Sequence, residues 1–176
     1  MVLLVMLGML TGKYLYFVYR SKRLPLAKLE NGVLRLIGVD KDKQMTWKEY
    51  LFSVLAFSAV SLVFLMALQM VQKYLPFNPE HQGNVSWHLA FNTASSFVTN
   101  TNWQSYSGEV TLSYLTQFLG LTVQNFVSAA VGIAVMFALI RGFSNTKKKE
   151  LGNFWSDMVR INLYVLLPLS IIVLSH

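Results

Sequence analysis

From Leu51 to Gln72 the chain carries no charged side chain, and from Val110 to Ile140 it again carries none. A bilayer core of about 30 Å takes roughly 20 helical residues at 1.5 Å each. Both stretches are therefore long enough to cross a membrane. Two further apolar blocks, Met1 to about Tyr19 and about Ile161 to Ser175, bring the expected spans to four. The first is broken only by Lys13, whose ammonium can snorkel to the headgroups. No basic residues precede it and no small-residue cleavage site follows it, so it reads as a first transmembrane helix starting at or near its natural beginning, and not as a signal peptide. The third block is longer than a span needs and is expected to tilt or to begin outside the hydrocarbon. The fourth is short, carries Pro168, and is expected to be cut off where the chain ends at His176.

Charged residues make up 13% of the 176 residues, against about a quarter in soluble domains. The formal charge of +7 could suit nucleic acid, but the basic residues flank apolar spans, where the positive-inside rule puts them. No nucleic-acid partner is therefore expected, and the surrounding lipid is. The absence of cysteine excludes disulfides and thiolate metal sites. Arg20, Lys22, Arg23, Lys28, Arg35, Lys41, Lys43 and Lys48 lie between the first two blocks. Arg141, Lys147, Lys148, Lys149 and Arg160 lie after the third. Between Lys73 and Glu109 the only basic residue is Lys73 itself. Both basic loops then face the cytoplasm, and the middle segment and the N-terminus lie outside. The expected organisation is an N-terminal transmembrane helix at 1–19, a cytoplasmic basic loop at 20–48, a helix–loop–helix unit at 49–142, a cytoplasmic loop at 143–160, and the start of another transmembrane helix at 161–176.

The stretch from Pro76 to Gly108 is where function is expected. Turn formers Pro76, Asn78, Pro79, Gly83 and Asn84 open it, and Ser86 is placed to cap a short helix over 87–97. Such a helix spans only about half a bilayer. A polar strand over about 99–107 follows and leads to the next long helix. Long helix, half helix, extended polar strand and long helix is the layout of a potassium-channel pore unit. The C-terminal end of a half helix carries about half a negative charge, and extended backbone after it can aim carbonyls at a cation. Thr99, Asn100, Thr101, Asn102, Trp103 and Gln104 form this candidate filter. Their neutral oxygens suit a weakly hydrated monovalent ion better than calcium, which favours carboxylates. Asn100 and Asn102 are the non-glycine residues most at ease in the left-handed backbone region that filters require. Farther on, Gln117, Leu121, Gln124, Ser128 and Gly132 share one helix face. Ser128 and Gly132 read as a small-residue packing contact, and Gln117, Gln124 and Asn125 as either pore-facing or packing.

The run Ala90-Phe91-Asn92-Thr93-Ala94, the string Ser96-Phe97-Val98-Thr99-Asn100-Thr101-Asn102-Trp103-Gln104-Ser105-Tyr106-Ser107-Gly108-Glu109, and the segments Leu119–Ala130, Ala138–Phe143 and Leu151–Trp155 resemble the potassium-binding A subunits of the Kdp potassium-transporting ATPases. The resemblance implies an all-α integral membrane protein of the bacterial inner membrane, with four helix–pore loop–helix units round one filter. It implies that this chain holds the extra N-terminal helix, the first unit and the start of the second, with three filter strands elsewhere. It implies potassium as the bound ion, with no organic cofactor. It also implies a P-type B subunit that hydrolyses ATP, small C and F subunits, and no catalysis by this chain. The family's selectivity-affecting glutamine falls on Gln104. One departure is the absence of a glycine in the strand, where Asn102 stands instead.

Other readings are an ATP-independent channel-like potassium transporter, a scaffold, and a membrane enzyme built on Glu80, His81 and His88. The last has no converging ligand set, nucleophile–base pair or phosphate-binding loop in the sequence. Asp157 and Arg160, three residues apart, are expected to form a helix-surface ion pair or to meet another subunit. Lys147, Lys148 and Lys149 read as a topology signal beside anionic lipid. Leu29, Val33, Leu34, Leu36 and Ile37 read as an amphipathic stretch on the membrane surface or at a partner.

Overall fold

The computed structural model describes residues 1–21, 24–144 and 150–174, and the side chains of residues 2, 3 and 20 are left aside. Lys147, Lys148, Lys149 and the chain end at Ser175 and His176 fall outside the described residues. The helices are α1 (Val2–Arg20), α2 (Ala27–Leu36), α3 (Trp47–Met70), α4 (Trp87–Val98) and the four-residue α5 (Gly108–Thr111). Two longer continuous helices follow, α6 (Thr116–Ser144) and α7 (Phe154–Leu174). The helices α3, α6 and α7 are long and apolar enough to cross a membrane, and Leu4–Tyr19 within α1 is a shorter apolar helix.

Three boundaries differ from the expectation. The second block starts at Trp47 and not at Leu51, because Thr46 and Glu49 form a capping box that carries Trp47, Lys48 and Glu49 into the helix. The third block is not continuous from Val110. The chain turns through α5, extends at Leu112 and only then enters α6. The fourth span starts at Phe154, not Ile161, with the Asn153 side chain accepting from the backbone N–H groups of Trp155 and Ser156. Asp157 and Arg160 therefore lie within the helix, and their charges are met internally.

The expected Asp157–Arg160 pair does not form. Asp157 takes Arg141 of α6 through both guanidinium nitrogens, at 2.6 and 2.7 Å. Arg160 binds Glu30 of α2 at 2.8 Å, and Lys41 binds the same carboxylate at 3.1 Å. Three residues along one helix turn is a suitable spacing for a pair, but these side chains find partners on other helices. Glu30 is 1% exposed, so α2 is pinned to α7 by charge, and Leu34 of α2 is buried as well. Val33 is half-buried, while Leu29, Leu36 and Ile37 remain exposed.

The helices pack around two apolar clusters. One joins Val18 of α1, Tyr50 of α3, Ala130, Ala134 and Ala138 of α6, and Phe154, Met158 and Ile161 of α7. The alanines, spaced by four, present a flat face of α6. The other cluster joins Leu65 of α3, Ala90, Ala94 and Phe97 of α4, and Leu112 and Leu121. Gly120 permits the close approach of α6 to α3: a Cβ there would sit 2.8 Å from Leu65 Cδ1 and 3.0 Å from Leu68 Cδ2.

The first cluster lies toward the end of the bundle where the two basic loops meet. There the backbones of Met45 and residues 151–152 exchange hydrogen bonds at 2.7 and 2.9 Å. The second cluster lies toward the opposite end, under the 76–108 segment. The described parts of the two basic loops thus meet on one side of the spans.

In α7, Asn162–Leu166 adopts wider π-helical turns just before Pro168. The Tyr164 carbonyl, the α-helical acceptor position for residue 168, accepts the hydroxyl of Tyr14 from α1.

Candidate functional site

Helix α4 runs from Trp87 to Val98 and buries Ala90, Thr93, Ala94, Ser96 and Phe97. Ser86 occupies the N-cap position in extended backbone, but its side chain makes no capping hydrogen bond, contrary to the expectation. The loop before α4 is held from α3 instead. Gln69 Nε2 donates to the Leu65 and Ala90 carbonyls at 2.9 and 3.3 Å, and the Gln69 carbonyl accepts from Val85 N–H.

Gln72 is completely buried. Its amide nitrogen donates to the Gly83 and Thr111 carbonyls at 2.6 and 2.8 Å. Its amide oxygen accepts from Ser113 N–H and the Thr116 hydroxyl, both at 3.1 Å. One side chain thus fastens the strands entering and leaving the loop to the end of α3. Sequence reasoning missed this pair. Their signal was two glutamines three residues apart at the end of an otherwise apolar run.

After α4 the backbone leaves the helix at Thr99. Asn100 and Asn102 take φ of 58° and 56°, the left-handed region. Ser96 is the hub on the α4 side. Its carbonyl accepts from the N–H groups of Thr101 and Asn102 at 3.0 and 3.3 Å, and its hydroxyl donates to the Trp103 carbonyl at 2.8 Å. The Thr99 and Thr101 hydroxyls meet at 2.8 Å. Among the described residues, the carbonyls of Thr99, Asn100, Thr101, Asn102 and Gln104 accept no hydrogen bond. Residues 99–105 are exposed, although the Thr99 and Thr101 hydroxyls turn back to the Ser95 and Ser96 carbonyls of α4. The strand therefore offers a row of uncommitted carbonyl oxygens on exposed residues.

Tyr106 returns the chain to the second apolar cluster, its buried hydroxyl facing the side chains of Gln104 and Thr93 outside hydrogen-bond geometry. Beyond it, the Ser107 hydroxyl donates to Glu109 at 2.7 Å and holds that carboxyl below its ordinary range, so a negative charge stands at the rim.

On α6, Gln117 donates to the Gly108 and Leu112 carbonyls at 3.2 and 2.9 Å, which makes it a clasp for the loop exit. Gln124 is buried and Asn125 exposed. Ser128 is buried, with its hydroxyl 2.7 Å from the Gln124 carbonyl and 3.3 Å from Asn100 Oδ1. Asn102 Nδ2 lies 3.3 Å from the same Asn100 atom. Gln117 and Ser128 are thus brought to the loop from its two ends.

Glu80, His81 and His88 are exposed. Among the described residues, no three His, Cys, Asp or Glu side chains gather as a metal site. A cavity of about 920 Å³ opens at the opposite end of the bundle. Three of the cations lining it, Lys41, Arg141 and Arg160, are already engaged by Glu30 and Asp157, and it does not reach the loop.

The family model for the potassium-transporting ATPase A subunit matches residues 1–175. A protein of Clostridium botulinum, described as a potassium-transporting ATPase potassium-binding subunit, is 55% identical over 97% of this chain and 30% of its own length. Proteins of the same description from Desulfovibrio desulfuricans and Listeria monocytogenes are 63% and 55% identical, over 84% and 97% of this chain and 25% and 31% of theirs. The chain spans less than a third of the length of these relatives. Its helices, its half-helix loop and these matches together place the chain in the potassium-transporting ATPase A subunit family.

Proposed function

We propose that the chain supplies the first quarter of a potassium filter in the non-hydrolytic, ion-translocating subunit of an ATP-driven uptake pump. The observation that carries this is the row of uncommitted carbonyls from Thr99 to Asn102, set at the C-terminal end of the half-helix α4. The carbonyl end of α4 is a partial negative charge aimed at the strand. Oxygens without a hydrogen-bond partner are the groups that can replace a cation's water shell. Left-handed Asn100 and Asn102 alternate with Thr101, which turns successive carbonyls without requiring glycine. The Trp103 carbonyl is already engaged by Ser96, so Trp103 anchors the strand, and Gln104 stands beside its outer end.

The relatives are described as potassium-binding subunits of a potassium-transporting ATPase, which supports potassium as substrate and an ATP-hydrolysing partner. In this reading that partner is the P-type B subunit, with the small C and F subunits completing the complex. The pair of basic loops at one end of the bundle faces the cytoplasm of a bacterial inner membrane, and the pore loop and the N-terminus face outside. The charge at Glu109 raises the local cation concentration at the mouth.

The test is potassium-stimulated ATP hydrolysis by the assembled full-length complex, with and without Gln104→Arg. A fixed positive charge beside the ion path repels cations. Half-stimulation is expected to move to higher potassium, with weaker discrimination among monovalent cations and unchanged assembly. Hydrolysis indifferent to potassium and to the substitution would count against the pump and leave a channel-like transporter or scaffold.

A further inference from the structure

We propose that Ser128 is a positioning residue for the filter, tying the strand to the inner helix α6 through the side chain of Asn100. The inference rests on the filter reading of residues 99–104. Ser128 sits in the middle of a span, is buried, and is the α6 hydroxyl that meets a filter side chain.

Proton accounting defines the contact. A serine hydroxyl has one proton. The closest acceptor, the Gln124 carbonyl at 2.7 Å, is the usual partner four residues back on a helix. With that proton committed, the Asn100 atom across 3.3 Å must donate to the Ser128 oxygen. A half-turn of the amide places its nitrogen there. The same nitrogen has a second proton for the Asn102 side chain, also 3.3 Å away, once that amide turns likewise. The result is a network in which Asn100 donates to both the Asn102 side chain and the Ser128 hydroxyl, and Ser128 donates on to the α6 backbone. It fixes the two residues whose left-handed backbone sets the direction of the strand's carbonyls.

Ser96 holds the strand from the α4 side and Ser128 from the α6 side. Filter oxygens must be held within about 0.5 Å of their working positions. Loss of one of two anchors should therefore change ion affinity before it changes folding.

The experiment uses the full-length protein in its assembled complex, comparing wild type, Ser128→Ala, Ser128→Cys, Ser128→Thr and Gln104→Arg. Potassium-stimulated hydrolysis is measured per assembled complex, together with rubidium and ammonium discrimination. Ser128→Ala is expected to raise half-stimulating potassium by about three- to tenfold, the scale of one hydrogen bond. The maximal rate should stay within about twofold, and Ser128→Thr should restore wild-type behaviour. If the alanine variant does not assemble, Ser128→Cys, a weak acceptor of similar size, gives the same reading. Unchanged half-stimulation and discrimination in the alanine or cysteine variant, with a clear shift in Gln104→Arg, would reduce Ser128 to packing and leave the filter reading intact. If Gln104→Arg is also without effect, the filter reading fails and this inference falls with it.

Discussion

Arg141 on α6 grips Asp157 on α7 through both guanidinium nitrogens, at 2.6 and 2.7 Å, and with the side chains only 11% and 9% exposed. The same guanidinium donates to the Leu151 carbonyl at 2.6 Å and to the Tyr19 hydroxyl at 3.1 Å. Tyr50 of α3 approaches Asp157 at 3.0 Å. Four helices thus meet at one charge pair. Removing one partner leaves a buried uncompensated charge, so Arg141→Ala or Asp157→Ala should each cost about 3–5 kcal/mol, whereas replacing both with apolar residues of similar volume should cost far less. Thermal unfolding of the detergent-solubilised full-length protein, read as a double-mutant cycle, checks this. Additive losses would show that the two side chains do not act as a pair.

Gly152 depends on the same pair from another direction. Its φ is +93°, and a Cβ there would run into the Arg141 guanidinium. Gly152→Ala should therefore lower the melting temperature and displace Arg141 from Asp157. In an Arg141→Ala background the steric part vanishes and only the backbone penalty of about 1–2 kcal/mol remains. An equal loss in both backgrounds would contradict the collision.

Asn100 and Asn102 are needed for their backbone as well as their amides. Asn102→Gly should preserve assembly, since φ near 56° suits glycine. Asn102→Val should cost about 1–2 kcal/mol through the left-handed penalty and raise half-stimulating potassium. The discriminating comparison is the glycine variant. If it is as impaired as valine, the side chain and not the backbone angle carries the requirement.

Much of the fold could be read from hydropathy alone, because lipid forces long apolar helices and the charge-free runs at 51–72 and 110–140 announce them. The half helix at 87–98 was legible from its turn formers and length, and the left-handed asparagines from residue type. Charges inside a span were not. Asp157 and Arg160 look like the end of a loop until Arg141 and Glu30, distant in sequence, are seen to neutralise them. The role of Gln72 was equally hidden, since its four partners come from residues 83 to 116 and no local pattern marks them. The break at Leu112 follows from that same side chain, which binds Ser113 N–H and the Thr116 hydroxyl and so sets where α6 begins.

The Tyr14 hydroxyl on the Tyr164 carbonyl has a consequence for the order in which the protein is made. Proline at position 168 supplies no N–H to the turn before it, and a bare carbonyl in hydrocarbon costs several kcal/mol. Helix α7 therefore enters lipid most easily when α1, made earlier, stands ready beside it. An N-terminal span that looks peripheral acts as a receiving surface for a segment translated some 150 residues later.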